Sequence, residues 1–424
     1  MAEFHAEVFQ NEFLPAGGTD VHAIVSVSCS GAGEAGRAGM GDAAEIIIVD
    51  CSTSMARTKI AAARQAAAVA VDQILDGTWF AVVAGTDAAY LAYPDPATRM
   101  ARMDDRTRAE AKATLTRLQA NGGTAIGRWL RLTRDLFDYI PQATQRHAIL
   151  LTDGQDQGET PRELQESIAY ARGSFQCDCR GVGADWQVSE LRAIATELMG
   201  GVELIAEPSG LEADFEALMR AAMGRGVAEA TLRVWAPQGS EVLYVRQVAP
   251  TLEDLSSRRV AFNPLTGDYP TGAWGDESRD YHVAVRVGAK PVGAEQLVGR
   301  VQLVVGGDVV SSGMIKATWS DNELQTTRID PAVAHYTGQV ELAEAIQDGL
   351  AARSAGDDAT ATVKLGRAVQ LATETGNDEA TTRLRKLVDI EDAGTGTVRL
   401  KRDVDKLAEM EVDTFSTKTV PVKK

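Results

Sequence analysis

Apolar residues follow different periods in different parts of the chain, and the changes of period mark the expected elements. In residues 1–30, Val21, Ala23, Val25, Val27 and Cys29 take every second position, with His22, Ile24, Ser26 and Ser28 between them. A period of two predicts half-buried strands. Pro15-Ala16-Gly17-Gly18 reads as a turn ahead of them. Residues 31–41 form a Gly/Ala-rich connector with little to bury.

From 44 to 225, short apolar runs alternate with helical stripes. Ile46 to Val49 is a run of the fully buried strand type. Ile60, Ala63, Ala67, Val71 and Ile74 then share one face of a helix over 58–75. The same reasoning predicts strands at 79–84, 89–93, 147–151, 175–182 and 202–205. It predicts helices at 104–118, 125–137, 161–171, 188–198 and 211–223, with Pro161 at a helix start. Such alternation implies an α/β domain with a doubly wound, Rossmann-like parallel sheet.

From 228 to 320 the helical stripes vanish. Strands are expected at 231–235, 241–248, 281–287, 297–305 and 309–318, the signature of an antiparallel β-sandwich. Neither this stretch nor residues 1–30 suffices alone, and sheet edges need cover. The α/β domain is therefore expected as an insertion between two parts of one β-sandwich. Residues 328–411 read as helical, with stripes at Leu342/Ile346/Leu350, Leu365/Ala368/Val369/Ala372, Leu384/Leu387/Val388 and Val404/Leu407. Residues 412–424 lack helical periodicity and read as a flexible, exposed tail ending in Lys423-Lys424.

Composition narrows the function. A length of 424 residues implies two or three domains. Net charge of −17 argues against binding nucleic acid or an anionic membrane, both of which favour basic surfaces. No basic-then-apolar leader opens the sequence, and no run approaches the ~18 apolar residues of a membrane span. A cytoplasmic location is expected. Cys177-x-Cys179 lacks a second pair, and Cys29 and Cys51 read as small packed residues, so no zinc frame is expected. The five histidines (His5, His22, His147, His282, His335) are scattered, with no cluster in sequence.

Candidate chemistry lies in Asp50-Cys51-Ser52-Thr53-Ser54, the loop after the Ile46–Val49 strand. Ligands of open α/β sheets bind at such carboxyl ends. One carboxylate and two hydroxyls, spaced by two, can point to one spot. Hard oxygens of this kind suit Mg²⁺ or Mn²⁺ rather than Zn²⁺. Three oxygens do not fill an octahedron, and two later stretches offer more: Gly122-Gly123-Thr124, and Leu150-Leu151-Thr152-Asp153-Gly154 at another strand end. The plainer alternative is that Asp50 and the serines only cap the next helix.

These residues resemble the metal-ion-dependent adhesion site of von Willebrand factor A (VWA) domains. The family pattern is D-x-S-x-S, then Thr, then Asp, here Asp50, Ser52, Ser54, Thr124 and Asp153. Element order and length over 44–225 resemble the family throughout. The resemblance implies bound Mg²⁺, with Mn²⁺ or Ca²⁺ as alternatives, and an open position that a partner's Asp or Glu completes. Thr53 and Met55 would orient the loop; Gln155 and Asp156 would shape the rim. No His, Lys or Cys beside the motif stands as a general base or nucleophile, and there is no Walker or dinucleotide fingerprint. A non-enzymatic, metal-dependent scaffold is expected, the alternative being a module whose metal only staples loops. The architecture also resembles bacterial VWA proteins associated with Ser/Thr kinases, phosphatases and forkhead-associated modules. That implies a phosphorylation-signalling or stress-response setting. Thr414, Thr417 and Thr419 lie on the accessible tail as candidate phosphosites, and in the stapled-module alternative a phosphothreonine there docks a forkhead-associated partner.

Overall fold

The computed structural model describes residues 2–33 and 43–422. The Gly/Ala-rich connector from residue 34 on and the Lys423-Lys424 end lie outside the described residues. The chain divides into two compact units. One holds Gly31–Ala228 and Gly272–Gly275; the other holds Glu3–Ser30, Glu229–Thr271 and Asp276–Lys424.

The first strands are β1 (Glu3–Gln10), β2 (Phe13–Leu14) and β3 (Asp20–Ser30). The α/β unit follows. Its strands are β4 (Ala43–Asp50), β5 (Trp79–Gly85), β6 (Ala89–Tyr93), β7 (Ala101–Arg102), β8 (Gln145–Thr152), β9 (Gln176–Val182) and β10 (Val202–Ile205). Its helices are α1 (Thr58–Gln73), α2 (Asp105–Leu115), α3 (Ile126–Asp138), α4 (Pro161–Ala171), α5 (Val188–Glu197) and α6 (Leu211–Met223).

The sheet runs β10-β9-β8-β4-β5-β6, with β7 also on β5. β10, β9, β8, β4 and β5 are parallel; β6 and β7 run against β5. β4 is central, and the chain leaves it first toward β5 and later toward β8. The carboxyl end of β4 is thus a topological switch point, where such sheets open a crevice. Ile46, Ile47, Ile48 and Val49 are all fully buried, and so are Ala63, Ala66, Ala67 and Ala70 of α1. Alanine on that face lets the helix lie close to the strands.

Two glycines at strand ends receive indole rings. A Cβ on Gly85 would fall inside Trp129, and one on Gly181 inside Trp186. Trp129 Nε1 donates to Thr86 O at 2.7 Å, and Gly85 O accepts from Cys51 N–H at 2.7 Å. Gly85→Ala is expected to destabilise the unit by ~1–3 kcal/mol through overpacking. A thermal melt unchanged from wild type would show that Trp129 moves aside freely.

Near the amino ends of strands in the same sheet lies a buried ionic row. Glu45, His147 and Asp178 sit on β4, β8 and β9. His147 Nδ1 is 2.7 Å from Glu45 Oε1, and its Nε2 is 2.8 Å from Asp178 Oδ2.

The second unit resumes with β11 (Val227–Trp235), β12 (Glu241–Ala249), β13 (Glu253–Asp254), β14 (Val260–Asn263), β15 (Thr266–Trp274), β16 (Glu277–Arg286), β17 (Glu295–Val305) and β18 (Asp308–Trp319). One sheet runs β1-β3-β16-β12-β13, the other β14-β15-β11-β17-β18-β2. β1–β3, β3–β16, β16–β12, β12–β13, β14–β15, β11–β17 and β17–β18 pair antiparallel, and β2 pairs with β18 in parallel. β3 pairs with β16 from Asp20↔Arg286 to Cys29↔Glu277, so residues near the amino end share a sheet with a segment past residue 276.

The remaining elements are α7 (Glu323–Thr326), α8 (Pro331–Ser354), α9 (Asp358–Glu374), α10 (Asp378–Leu384), β19 (Val388–Asp392), β20 (Thr397–Leu400) and α11 (Lys406–Phe415). Ala332, Val333 and Tyr336 of α8 pack with Ile24, Val248 and Ala249. The expected all-helical stretch 328–411 is interrupted by the β19–β20 hairpin, so Val388 lies on a strand rather than a helical stripe. The turn uses Gly396 at φ +69°, and a Cβ on Gly366 of α9 would collide with Gly396 O. The hairpin therefore rests on α9 through two glycines.

The expected loose tail is also corrected. Residues 412–415 complete α11, and Thr414 is buried. Thr417 O accepts from Leu252 N–H at 2.7 Å. Thr419 N–H donates to Pro250 O at 3.0 Å and its hydroxyl to Val248 O at 2.6 Å. Val420 O lies 2.8 Å from His335 Nε2. Backbone pairing and packing hold the segment against residues 248–252, so Thr414 is buried and the Thr419 hydroxyl is bonded within the fold rather than displayed. Among the described residues no helix is long and apolar enough to cross a membrane.

Candidate metal centre

Four of the five residues expected to bind metal form one hydrogen-bonded chain at the carboxyl ends of β4 and β8. Asp50 is fully buried; its Oδ1 accepts from Ser52 N–H at 2.7 Å and its Oδ2 from the Thr152 hydroxyl at 2.6 Å. The Ser52 and Ser54 hydroxyl oxygens are 2.8 Å apart. The Ser54 hydroxyl donates to Asp153 Oδ1 at 2.6 Å, and Asp153 is also fully buried. Thr124 joins them: a Cβ on Gly154 would lie 3.2 Å from Thr124 Oγ1 and 3.3 Å from Ser54 Oγ.

The loops that carry these groups are tied by their own backbone. Cys51 N–H bonds Gly85 O at 2.7 Å, Asn121 N–H bonds Cys51 O at 2.6 Å, and Thr53 N–H bonds Gly122 O at 3.0 Å. Ser52 carries no side-chain bond that caps a helix, and α1 begins only at Thr58. Helix capping therefore does not account for the serines. Arg57, just before α1, has φ 69°, a strained backbone for a side-chain-bearing residue.

One participant lacked a motif signal. Lys59, in the first turn of α1, places Nζ 2.5 Å from Asp153 Oδ2 and 3.4 Å from Asp185 Oδ2. The sequence reading names no lysine among the site residues; Lys59 enters as a charge partner of Asp153, not as a base or nucleophile. The available hint was a cation at a helix amino end, where the dipole disfavours it. Burial works against the ammonium, yet the hydrogen bond and charge of Asp153 hold the Lys59 pKa above its ordinary value. Burial pushes the Asp50 carboxyl up, against the hydrogen bonds from Ser52 and Thr152.

The donor set fits a hard divalent cation. All donors are oxygens, two are buried carboxylates, and the neighbouring ammonium already answers to one of them. Mg²⁺ would be held by Asp50, Ser52, Ser54, Thr124 and Asp153, directly or through water. It would supply a Lewis-acidic open position. Of the expected rim and loop residues, Met55 is fully buried and Thr53 is exposed. Asp156 is half-buried beside Glu159 and Glu190; burial and their charges push its carboxyl up to about 7. Burial pushes the Cys51 thiol up to about 12, which removes it as a thiolate nucleophile near neutrality.

Comparisons with known proteins agree with this geometry at the level of family. The von Willebrand factor type A domain model matches residues 44–204, and the von Willebrand factor type A C-terminal domain model matches residues 370–416. A solved von Willebrand factor type A structure from Catenulispora acidiphila is 48% identical, covers 99% of this chain and 97% of its own, and has a TM-score of 0.93. The ArnB paralog VWA2 from Sulfolobus acidocaldarius is 15% identical over 98% of both chains, with a TM-score of 0.61, and bears on the fold alone. An uncharacterized protein of Synechocystis sp. is 28% identical over 214 residues, 50% of this chain. The chain spans 49% of the length of that curated relative.

Proposed function

Because the chain belongs to the von Willebrand factor type A family, we propose that its candidate centre binds Mg²⁺ and captures an acidic side chain of a partner protein. One observation carries this reading. A hydrogen-bonded chain runs from buried Asp50 and Asp153 to Ser54, which is exposed. A cation seated there would be held from inside and reached from outside. The partner's Asp or Glu would complete its shell, and removing the cation would release the partner.

The stapling alternative is weaker. The three loops are joined by backbone bonds that need no metal, with Gly158 N–H to Thr124 O at 2.7 Å tying in the loop after Asp153, so a cation adds little to holding them. An enzymatic reading is weaker too, since the Cys51 thiol is held protonated and Lys59 is engaged by Asp153 and Asp185. We also read the second unit as a β-sandwich interrupted by the α/β unit; the long β3–β16 pairing supports this.

The test is capture from native lysate by the tagged protein, in Mg²⁺ and in EDTA, with retained proteins identified. Proteins held in Mg²⁺ and lost in EDTA are expected. Capture indifferent to EDTA would move the binding surface away from the centre.

Lys59→Met gives a second check with opposite signs. Without metal, Asp153 loses its cation and the melting temperature should fall. With Mg²⁺, a competing positive charge is gone, and affinity should rise about tenfold, a like-charge effect of ~1.4 kcal/mol. Calorimetric titration reads the second effect; unchanged affinity would mean that the ammonium swings clear of bound Mg²⁺.

A further inference from the structure

Three side chains on the β1-β3-β16-β12-β13 sheet meet in a way the proposed capture does not use. Strand register explains why. His22 on β3 pairs with Ala284 on β16, and Ala284 pairs with Tyr244 on β12, so the three positions form one row. His282 lies two residues from Ala284, and its side chain leaves from the same face. Histidines 260 positions apart in sequence thus become neighbours.

Their polar atoms close a triangle. His22 Nδ1 is 3.2 Å from His282 Nε2, and the Tyr244 hydroxyl oxygen is 3.2 Å from the first and 3.3 Å from the second. His282 is 4% exposed, while His22 and Tyr244 are half-buried. A triangle serves hydrogen bonding poorly. Each hydrogen can point at only one neighbour, bonds weaken when bent, and two facing imidazole nitrogens need one proton between them.

The same spacing suits coordination. Zinc ligands stand ~2.0–2.1 Å from the metal, and a tetrahedron of that size has edges of ~3.3 Å. We propose that His22, His282 and Tyr244 form a transition-metal site that takes Zn²⁺, with water or a partner's donor as the fourth ligand. Imidazole nitrogens select such a cation over Mg²⁺, so this site and the oxygen-lined centre take different metals. Among the described residues no three of His, Cys, Asp and Glu gather as a metal set, and here the third donor is a phenol. Arg246 supports that donor: its Cζ lies 4.4 Å from the Tyr244 ring centroid, and its Nε bonds Asp254 Oδ2 at 3.1 Å. Burial pushes the Tyr244 hydroxyl pKa up and Arg246 pulls against it, so the phenol gives up its proton to solvent only as the metal takes its place. Bound metal would tie β3 to β12 and β16 and so join the amino-terminal strands to the later ones.

The experiment uses full-length protein carrying Asp50→Asn, stripped with chelator and titrated with ZnCl₂ by calorimetry. That background silences the oxygen-lined centre if it binds metal and changes nothing here if it does not. One equivalent of Zn²⁺ is expected. His22→Ala and His282→Ala should each weaken it by about tenfold or more, with Tyr244→Phe weakening it in the same direction. Co²⁺ in place of Zn²⁺ should show the absorption of a four-coordinate site in the parent and lose it in the variants. Half-buried His22 and the ring-conserving Tyr244→Phe keep the test open should His282→Ala misfold. No Zn²⁺ bound by the parent overturns the site. So does equal binding by the parent, His22→Ala and Tyr244→Phe, which would place the metal elsewhere.

Discussion

Asp50→Asn is expected to abolish Mg²⁺-dependent capture while leaving the metal-free protein near wild-type stability. The two carboxylate oxygens of Asp50 have separate duties: one accepts Ser52 N–H, the other the Thr152 hydroxyl. Asparagine keeps an acceptor for Ser52 and turns its amide toward Thr152, whose hydroxyl can accept instead of donate. The buried charge is lost, and with it a metal ligand. Breaking a buried charge pair costs ~3–5 kcal/mol, or about 100-fold or more in Mg²⁺ affinity. Asp50→Ala should also lose capture but melt lower, because two buried donors lose their acceptor at ~1–3 kcal/mol each. Capture assays and melts on both variants separate the duties. An Asp50→Asn protein that still captures its partner in Mg²⁺ but melts well below wild type would make the cation a staple.

His147→Ala is expected to cost ~3–5 kcal/mol, the penalty for leaving buried charge without its counter-charge. The variant would leave Glu45 and Asp178 without the ring between them. Asp178 keeps Gly201 N–H at 2.7 Å and Arg225 at 3.8 Å. Glu45 is worse placed, since its Oε2 is already buried with no hydrogen-bond partner among the described residues. Burial works to lower the imidazole pKa, but Glu45 and Asp178 outweigh it and push His147 up to about 9. A histidine titrates near ~6.5 in the unfolded chain. Its contribution to stability is therefore complete below that pH and is lost as pH rises through about 9. Wild-type melting temperature should fall between neutral pH and that value, and His147→Gln should flatten the slope. A flat wild-type profile would mean that His147 is neutral in the native protein. Partner capture below the melt should not change, because the row lies at the opposite ends of the strands from Asp50.

The α/β sheet was legible because its signals are local. The run Ile46–Val49 and the stripe Ile60–Ile74 announce a strand and its helix without reference to anything distant. The oxygen set was legible for a related reason: Asp50 and Asp153 each follow an apolar strand, and parallel strands bring their carboxyl ends together. The Thr152 bond to Asp50 needed the register, Val49 against Leu151, which no local pattern states. Lys59 was missed because its reach depends on how α1 is set over β8. The tail was misread for the same physical reason. Thr417 and Thr419 find their backbone partners in residues 248–252, so their lack of helical period looked like looseness. His22 and His282 looked scattered because sequence shows separation and not sheet rows.

The pairing of β3 with β16 also governs how the chain is made. Arg286 is 266 positions beyond Asp20, whose carboxylate it grips at 2.7 Å. At ~5–20 residues per second, a ribosome needs roughly 15–50 s to deliver that partner. Through this interval β3 stands as an open edge with its apolar face bare, while the whole α/β unit emerges and closes around β4. Co-translational order is thereby set: the inserted unit first, the unit that surrounds it in sequence last. The nascent amino-terminal strands are the segment most in need of a chaperone.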